Sequence, residues 1–230
     1  MSTAKIKRGV AIPAAIVIAG LLIAGTIIFI SGGNSATPGN HATGNMNAQP
    51  SGEFRMPNEN DHIRGSSTAS ITIVEYSDFN CTFCARIHPT LSKIVEDYNG
   101  EVNWVYRHFA NYAQGRVAAV GSECVAALGG NDAFWDFIDT MFNNQRRLGD
   151  AFSIETAVSL GVDQSEFEAC LNNSKEIEAK IVANRNEAIA LGGRGTPFVV
   201  VVTPKGQLMP FSGALPYEQI SAVIEQARSN

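Results

Sequence analysis

Apolar residues fall into three regimes along the chain. From Gly9 to Ile30 they run without a single charge, closing in Leu21-Leu22-Ile23 and Ile27-Ile28-Phe29-Ile30. A helix of that length, at ~1.5 Å per residue, crosses a ~30 Å hydrocarbon core. From Ser31 to about Asn60 large apolar residues are almost absent before Phe54, and Ser, Gly, Asn, Thr and Pro dominate. Such a segment has too little apolar surface to offset the entropy of ordering, and reads as a flexible linker. From Asp61 to Asn230 apolar positions recur at the periods of strands and helices, over a length that suits one domain. The plan is therefore a tip (1–8), a membrane span (9–30), a linker (31–60) and a folded domain (61–230).

Within the domain, Ile71 to Tyr76 is a β-branched run bounded by polar residues, which predicts a buried strand. Ile87, Leu91, Ile94 and Val95 have helical spacing, and a helix over Cys84–Tyr98 stops at Asn99-Gly100. Val102–Phe109 predicts a second strand. The period then changes. Ala113–Leu128 reads as a helix ending at Gly129-Gly130, and Asp132–Gln145 as a second helix whose Phe134, Trp135, Phe137 and Phe142 supply core. Short helices over Ser153–Leu160 and Gln164–Leu171, with Ser153 and Asp163 as N-caps, precede a longer one over Lys175–Leu191. Phe198–Val202 and Gln207–Phe211 form a hairpin around Pro204-Lys205-Gly206, and Pro216–Arg228 is the last helix. The order is β-α-β, a block of helices over about 111–192, then β-β-α. That is an α/β plan in which two sheet halves reunite around an inserted helical subdomain.

Charge adds orientation. Lys5, Lys7 and Arg8 precede the apolar run, and no basic residue follows until Arg55. This asymmetry puts the N-terminus in the cytoplasm and the domain outside, as a single-pass protein of the cell membrane. A cleaved signal peptide has the same basic start, and Gly33-Asn34-Ser35-Ala36 resembles a weak cleavage site. Its apolar core usually spans ~7–15 residues, shorter than the run here, so an uncleaved anchor is favoured. The exported part holds 14 basic and 22 acidic residues, a net −8, and no basic cluster along the sequence. Nucleic acid and anionic lipid are thereby disfavoured as partners. All four cysteines, Cys81, Cys84, Cys124 and Cys170, lie in this part, where disulfides persist.

The chemistry concentrates at Cys81-Thr82-Phe83-Cys84, which follows the first strand and opens the first helix. A helix start aims free backbone N–H groups and the positive end of the dipole at the first sulfur, favouring its thiolate. The second cysteine lies about one turn on, within reach of a tight disulfide. Half of a zinc site has the same spacing. Zinc needs two further ligands, and there is no second Cys-x-x-Cys, while the four histidines are scattered singly. Disulfide exchange is the favoured reading, with a purely structural disulfide as the other.

Several segments together resemble the DsbA-like thiol-disulfide oxidoreductases of the bacterial envelope, which have a thioredoxin fold with a helical insertion. They are Ile73-Val74-Glu75-Tyr76-Ser77-Asp78-Phe79-Asn80-Cys81, Trp104-Val105-Tyr106-Arg107-His108-Phe109, Phe134-Trp135 and Gly195-Thr196-Pro197-Phe198. The resemblance implies that Cys81 is the nucleophile and Cys84 the resolving thiol. It makes Pro197 a cis-proline packed opposite them, with Thr196 offering backbone to a substrate strand that also meets Thr82 and Phe83. It makes Glu75 a buried acid of raised pKa that exchanges protons with Cys84, Pro89 a kink in the active-site helix, and Cys124–Cys170 a structural disulfide. Glu75 as a solvated strand-end carboxylate is the alternative. Two positions depart from the family's pattern: Thr82 stands where proline is usual, and Phe83 where strongly oxidising members carry histidine, which implies a milder oxidant. Ala110 replaces a proline after Arg-His-Phe.

The implied activity is oxidation of cysteine pairs in exported proteins, with a membrane or small-molecule redox partner and no metal or organic cofactor. A reductase or isomerase of the same fold, or a tethered module without catalysis, are the alternatives. Among neighbouring residues, His88 is expected at the partly exposed surface. His108 is expected to pack or hydrogen-bond, and Asp78 and Asn80 to shape the turn.

Overall fold

The computed structural model describes residues 53–230. The tip, the span and the linker up to residue 52 lie outside the described residues. Among the described residues no helix is long and apolar enough to cross a membrane.

Five strands and six helices build the domain: β1 (His62–Arg64), β2 (Ile71–Ser77), α1 (Thr82–Asp97), β3 (Val102–His108), α2 (Ala113–Asn143), α3 (Asp150–Ser159), α4 (Gln164–Asn172), α5 (Lys175–Ala190), β4 (Phe198–Val202), β5 (Leu208–Ser212) and α6 (Tyr217–Ser229). A 3₁₀ turn, Gln145–Arg147, follows α2. The sheet order is β1-β3-β2-β4-β5, with β2 and β3 parallel and every other pair antiparallel. β2 is central and covered on both faces, which is why it reads as an unbroken apolar run rather than an alternating one. On one face Ile71 and Ile73 join Ile87 and Leu91 of α1, Ile220 and Ile224 of α6, and the aromatics of α2. On the other, Val74 and Tyr76 join Val105, Phe198 and Val200 under Ala188 of α5 and Leu191, its C-cap. This is the α/β sheet with a helical insert that the resemblance implies.

The departures have local causes. α2 covers both of the helices expected between 113 and 145, broken at Gly130, whose φ of 84° and ψ of −172° are closed to residues with a Cβ. Ser153 is not a cap. α3 starts at Asp150 after Gly149, and Ser153 lies buried within it, its Cβ facing Gly121 of α2. Asp163 does cap α4, accepting from the Glu166 N–H at 3.0 Å. α1 begins at Thr82 with Cys81 as its N-cap, two residues before the expected start.

β1 carries no sequence signal because its three residues are half-buried with no alternation. It pairs with β3 beside a buried ion network. The fully buried Arg107 guanidinium meets Asp61 at 2.9 Å and Glu187 at 3.1 Å. The end of the expected linker joins this network. Phe54 lies 5.4 Å under Arg107, and the Arg55 N–H donates to Glu187 at 2.6 Å. Packing therefore starts several residues before Asp61.

Candidate active site

Cys81 sits where β2 hands over to α1. Its own amide bonds back to the Asp78 carbonyl at 3.0 Å, and its carbonyl accepts the first helical bond from Ala85 at 3.1 Å. Its thiol is half-buried and donates to the Thr196 carbonyl at 3.3 Å. The Thr196-Pro197 peptide is cis, as the resemblance implies, and the contact with Thr196 sets the loop before β4 against the sulfur. Cys84, one turn on, is fully buried. Neither is bridged, whereas Cys124 and Cys170 are bonded to each other, joining α2 to α4.

The two thiols are driven apart electrostatically. Cys81 is brought down to about 5: the Cys84 thiol bonds to its sulfur, burial opposes, and the Thr196 side chain and the Cys84 and Phe83 amides add to the lowering. Cys84 is pushed up strongly, first by burial, then by the bond it gives Cys81 and by the charge of Glu75. One sulfur is an anion at neutral pH. The other keeps its proton.

Beneath them lies Glu75, fully buried and not a solvated strand-end group. Burial pushes its carboxyl up to about 8, opposed by the hydrogen bond from Ser77 and aided by Cys81. Ser77 Oγ donates to Glu75 Oε1 at 2.8 Å. The Tyr106 side chain, in register opposite Glu75, is buried too, and burial raises its phenol well above the ordinary value. Ser77 and Tyr106 escaped the sequence reading. The available signal was that Ser77 lies two residues from Glu75, on the same face of a strand.

The loop that presents Cys81 is held from two sides. The buried Asp78 carboxylate accepts from the Asn80 amide at 2.8 Å and from the Asn111 and Tyr112 amides at 2.6 and 3.2 Å, so it shapes more than its own turn. Gln145 Nε2 donates to the Phe79 and Cys81 carbonyls at 2.7 and 2.9 Å. Gln145 had no sequence signal, since its partners are 66 and 64 positions away. Thr82 and Phe83 stand exposed beside Cys81, and the Arg86 guanidinium lies 5.1 Å from the Phe83 ring.

His88 corrects an expectation. It is buried rather than at the surface, 2.6 Å from Asp139 and packed against Phe142 and Trp104, tying α1 to α2. Burial lowers its pKa, with Asp139 opposing. His108 bonds Glu123 of α2 at 3.0 Å, a packing role as expected. Among the described residues no three His, Cys, Asp or Glu side chains gather as a metal site.

A family model described as thioredoxin matches residues 57–226. Among solved structures, the chain is similar to DsbA2 of Pseudomonas aeruginosa, with a TM-score of 0.63 and 25% identity over 77% of this chain and 98% of that one. It is similar in fold to the thiol-disulfide exchange protein α-DsbA2 of Wolbachia pipientis (TM-score 0.64, 21% identity, 72% and 86% covered). The catalytic domain of Proteus mirabilis ScsC is a further likeness of fold (TM-score 0.61, 18% identity, 74% and 90% covered). A curated relative, the Na(+)/H(+) antiporter NhaA of Herminiimonas arsenicoxydans, is 32% identical over 170 residues, which are 74% of this chain and 26% of the antiporter. The chain thus spans about a quarter of that relative's length, and transport is not carried over with the match.

Proposed function

The chain belongs to the thioredoxin family, with the fold and cysteine pair of DsbA-like thiol-disulfide oxidoreductases, and from that premise we propose that it oxidises cysteine pairs of exported proteins. The observation that carries this is the asymmetry of the pair. Cys81 is half-exposed, with its pKa brought down to about 5 by the Cys84 thiol and the helix-start amides, while Cys84 is buried and protonated.

In the oxidised protein a client thiolate attacks Cys81 Sγ. The Cys81–Cys84 bond breaks, and Cys84 leaves as a thiolate. Glu75 holds its proton through neutral pH at a pKa of about 8 and is the buried acid able to protonate Cys84. The client's second thiolate then attacks the client sulfur of the mixed disulfide. Cys81 departs as a thiolate, a good leaving group because its pKa is near 5. The client keeps the disulfide, and two electrons remain on the Cys81/Cys84 dithiol until a membrane-borne or small-molecule oxidant removes them. No organic cofactor enters this scheme.

Direction follows from which redox state is stabilised. Interactions that hold the Cys81 thiolate favour the dithiol and so make the disulfide oxidising. They come from Cys84, Thr196 and the helix start in place of the missing histidine. Location outside the cytoplasm, on a membrane anchor, is supported by the basic tip before an uncharged apolar run and by the Cys124–Cys170 disulfide.

Equilibration with glutathione buffers tests the direction. A reduction potential between about −120 and −180 mV supports the oxidase, and one near −270 mV makes the protein a reductase. Cys84→Ala, whose Cys81 thiolate attacks a client's disulfide in the reverse direction and releases the client's other sulfur as a thiolate, should hold clients as mixed disulfides. A variant that captures none, with an unreactive Cys81, would return the pair to a structural staple.

A further inference from the structure

Beside the dithiol lies a cleft of about 720 Å³ that the exchange chemistry does not use. Asn80 and Thr82 form one wall, Asn144, Gln145 and Arg146 the other, and Phe142 is the one apolar lining residue. The walls do not depend on a loose loop, because Gln145 is bonded to the Phe79 and Cys81 carbonyls. The lining offers amides and guanidinium groups, and none of it is acidic.

The charge in the cleft is not balanced. Arg147, also in the lining, is neutralised by Glu155 at 2.6 Å and lies 4.0 Å over Phe152. Arg146 is exposed and makes no ion pair among the described residues. Two more exposed arginines stand near Cys81 without an ion pair among the described residues. Arg86 lies over Phe83, and Arg194 is two residues from Thr196. The carboxyls flanking Cys81 in sequence do not answer them, since Asp78 is buried on three amides and Glu75 is buried beneath the thiols, and no ion pair joins Arg146 to Asp150, four residues on, among the described residues. Arg146 thus stands in the cleft without an ion pair among the described residues, although the part of the sequence after residue 30 has a net charge of −8.

We propose that this cleft is a client subsite for an aspartate or glutamate close in sequence to the reacting cysteine, with Arg146 as the countercharge. The proposal rests on the disulfide-exchange reading and names its substrate class. Range decides between the local charge and the acidic whole. At physiological salt charges are screened over about 8 Å, so a client carboxylate in the cleft meets Arg146 rather than the domain's net charge. An exposed pair of this kind is worth about two- to fivefold in affinity. It acts before and during the exchange alike, so it appears in KM rather than kcat.

The test uses the oxidised full-length protein and dithiol peptides identical but for an Asp-Glu, Asn-Gln or Lys-Lys pair beside the first cysteine. The acidic peptide should have a kcat/KM about two- to fivefold above the amide peptide at 50 mM salt, and the ratio should approach one at 0.5 M. Arg146→Gln should remove the preference through KM, and Arg146→Glu should turn it toward the Lys-Lys peptide. Lys205→Gln, on the remote β4–β5 turn, should keep it. Equal rates for the acidic and amide peptides at low salt would overturn the subsite and leave the exchange reading standing. A preference that survives Arg146→Gln but not Arg86→Gln or Arg194→Gln would also overturn it, moving the recognition out of the cleft. If no peptide is oxidised, the exchange reading itself fails.

Discussion

Single residues set the protonation of the site, and each has a measurable signature. Cys81 should be alkylated by iodoacetamide with a half-maximal rate near pH 5, where an ordinary thiol requires about 8.5. A half-maximum near 8.5 would remove the thiolate from the reduced protein. Glu75 behaves in the opposite sense. Its folded pKa of about 8 lies above its unfolded value near 4.5, so its contribution to stability is whole below pH 4.5 and is lost as pH rises toward 8. Glu75→Gln abolishes that loss. In urea titrations of the reduced protein the variant should match the parent at pH 4 and exceed it by as much as about 4 kcal/mol at pH 8. A difference that does not change with pH would show Glu75 to be ionised in the fold.

Between elements, the decisive contacts hold the β2–α1 loop to the start of α2. Gly115 in α2 packs directly on the Asp78 carboxylate, and a Cβ there would collide with its Oδ1. Two effects oppose each other in Gly115→Ala. Helix propensity favours alanine by about 1 kcal/mol, while overpacking a filled site costs about 1–3 kcal/mol and here displaces an acceptor of three amides. Packing wins. The variant should lose stability in urea, and the alkylation profile of Cys81 should move toward higher pH as its loop shifts. A gain in stability would mean that Asp78 swings aside without consequence.

Across the molecule, links of very different kinds hold the insert together and fasten it to the sheet. Cys124–Cys170 closes a loop of 46 positions inside the insert, worth about 3–4 kcal/mol by loss of chain entropy in the unfolded state. Cys124→Ala with Cys170→Ala should lower the unfolding free energy by that order. Cys81 should react as before, since the disulfide touches neither the β2–α1 loop nor the Thr196-Pro197 turn. Loss of Cys81 reactivity would make the insert's integrity a condition for the site. On the opposite face of the sheet, Arg107 binds β3 to Asp61 before β1 and to Glu187 of α5. That network, with Phe54 and Arg55 seated on it, carries the packed domain back beyond the boundary that composition suggests.

Local spacing, period and turn chemistry were enough to locate the cysteine pair, the strand and helix that present it and most of the element order, while Thr196-Pro197 opposite them came from the family resemblance. The burial of His88 was hidden because a lone histidine on an amphipathic helix looks the same whether Asp139, 51 positions away, answers it or water does. Ser77 under Glu75, Gln145 on the Cys81 carbonyl and the Asp61–Arg107–Glu187 network were hidden for the same reason. So was the placement of Arg146 in a cleft beside Thr82, in a chain whose overall charge is acidic. Periodicity says which face of an element is covered. Only packing brings together side chains separated by tens of positions, and those pairings, over a few ångströms, set the protonation of the dithiol and the charge beside it.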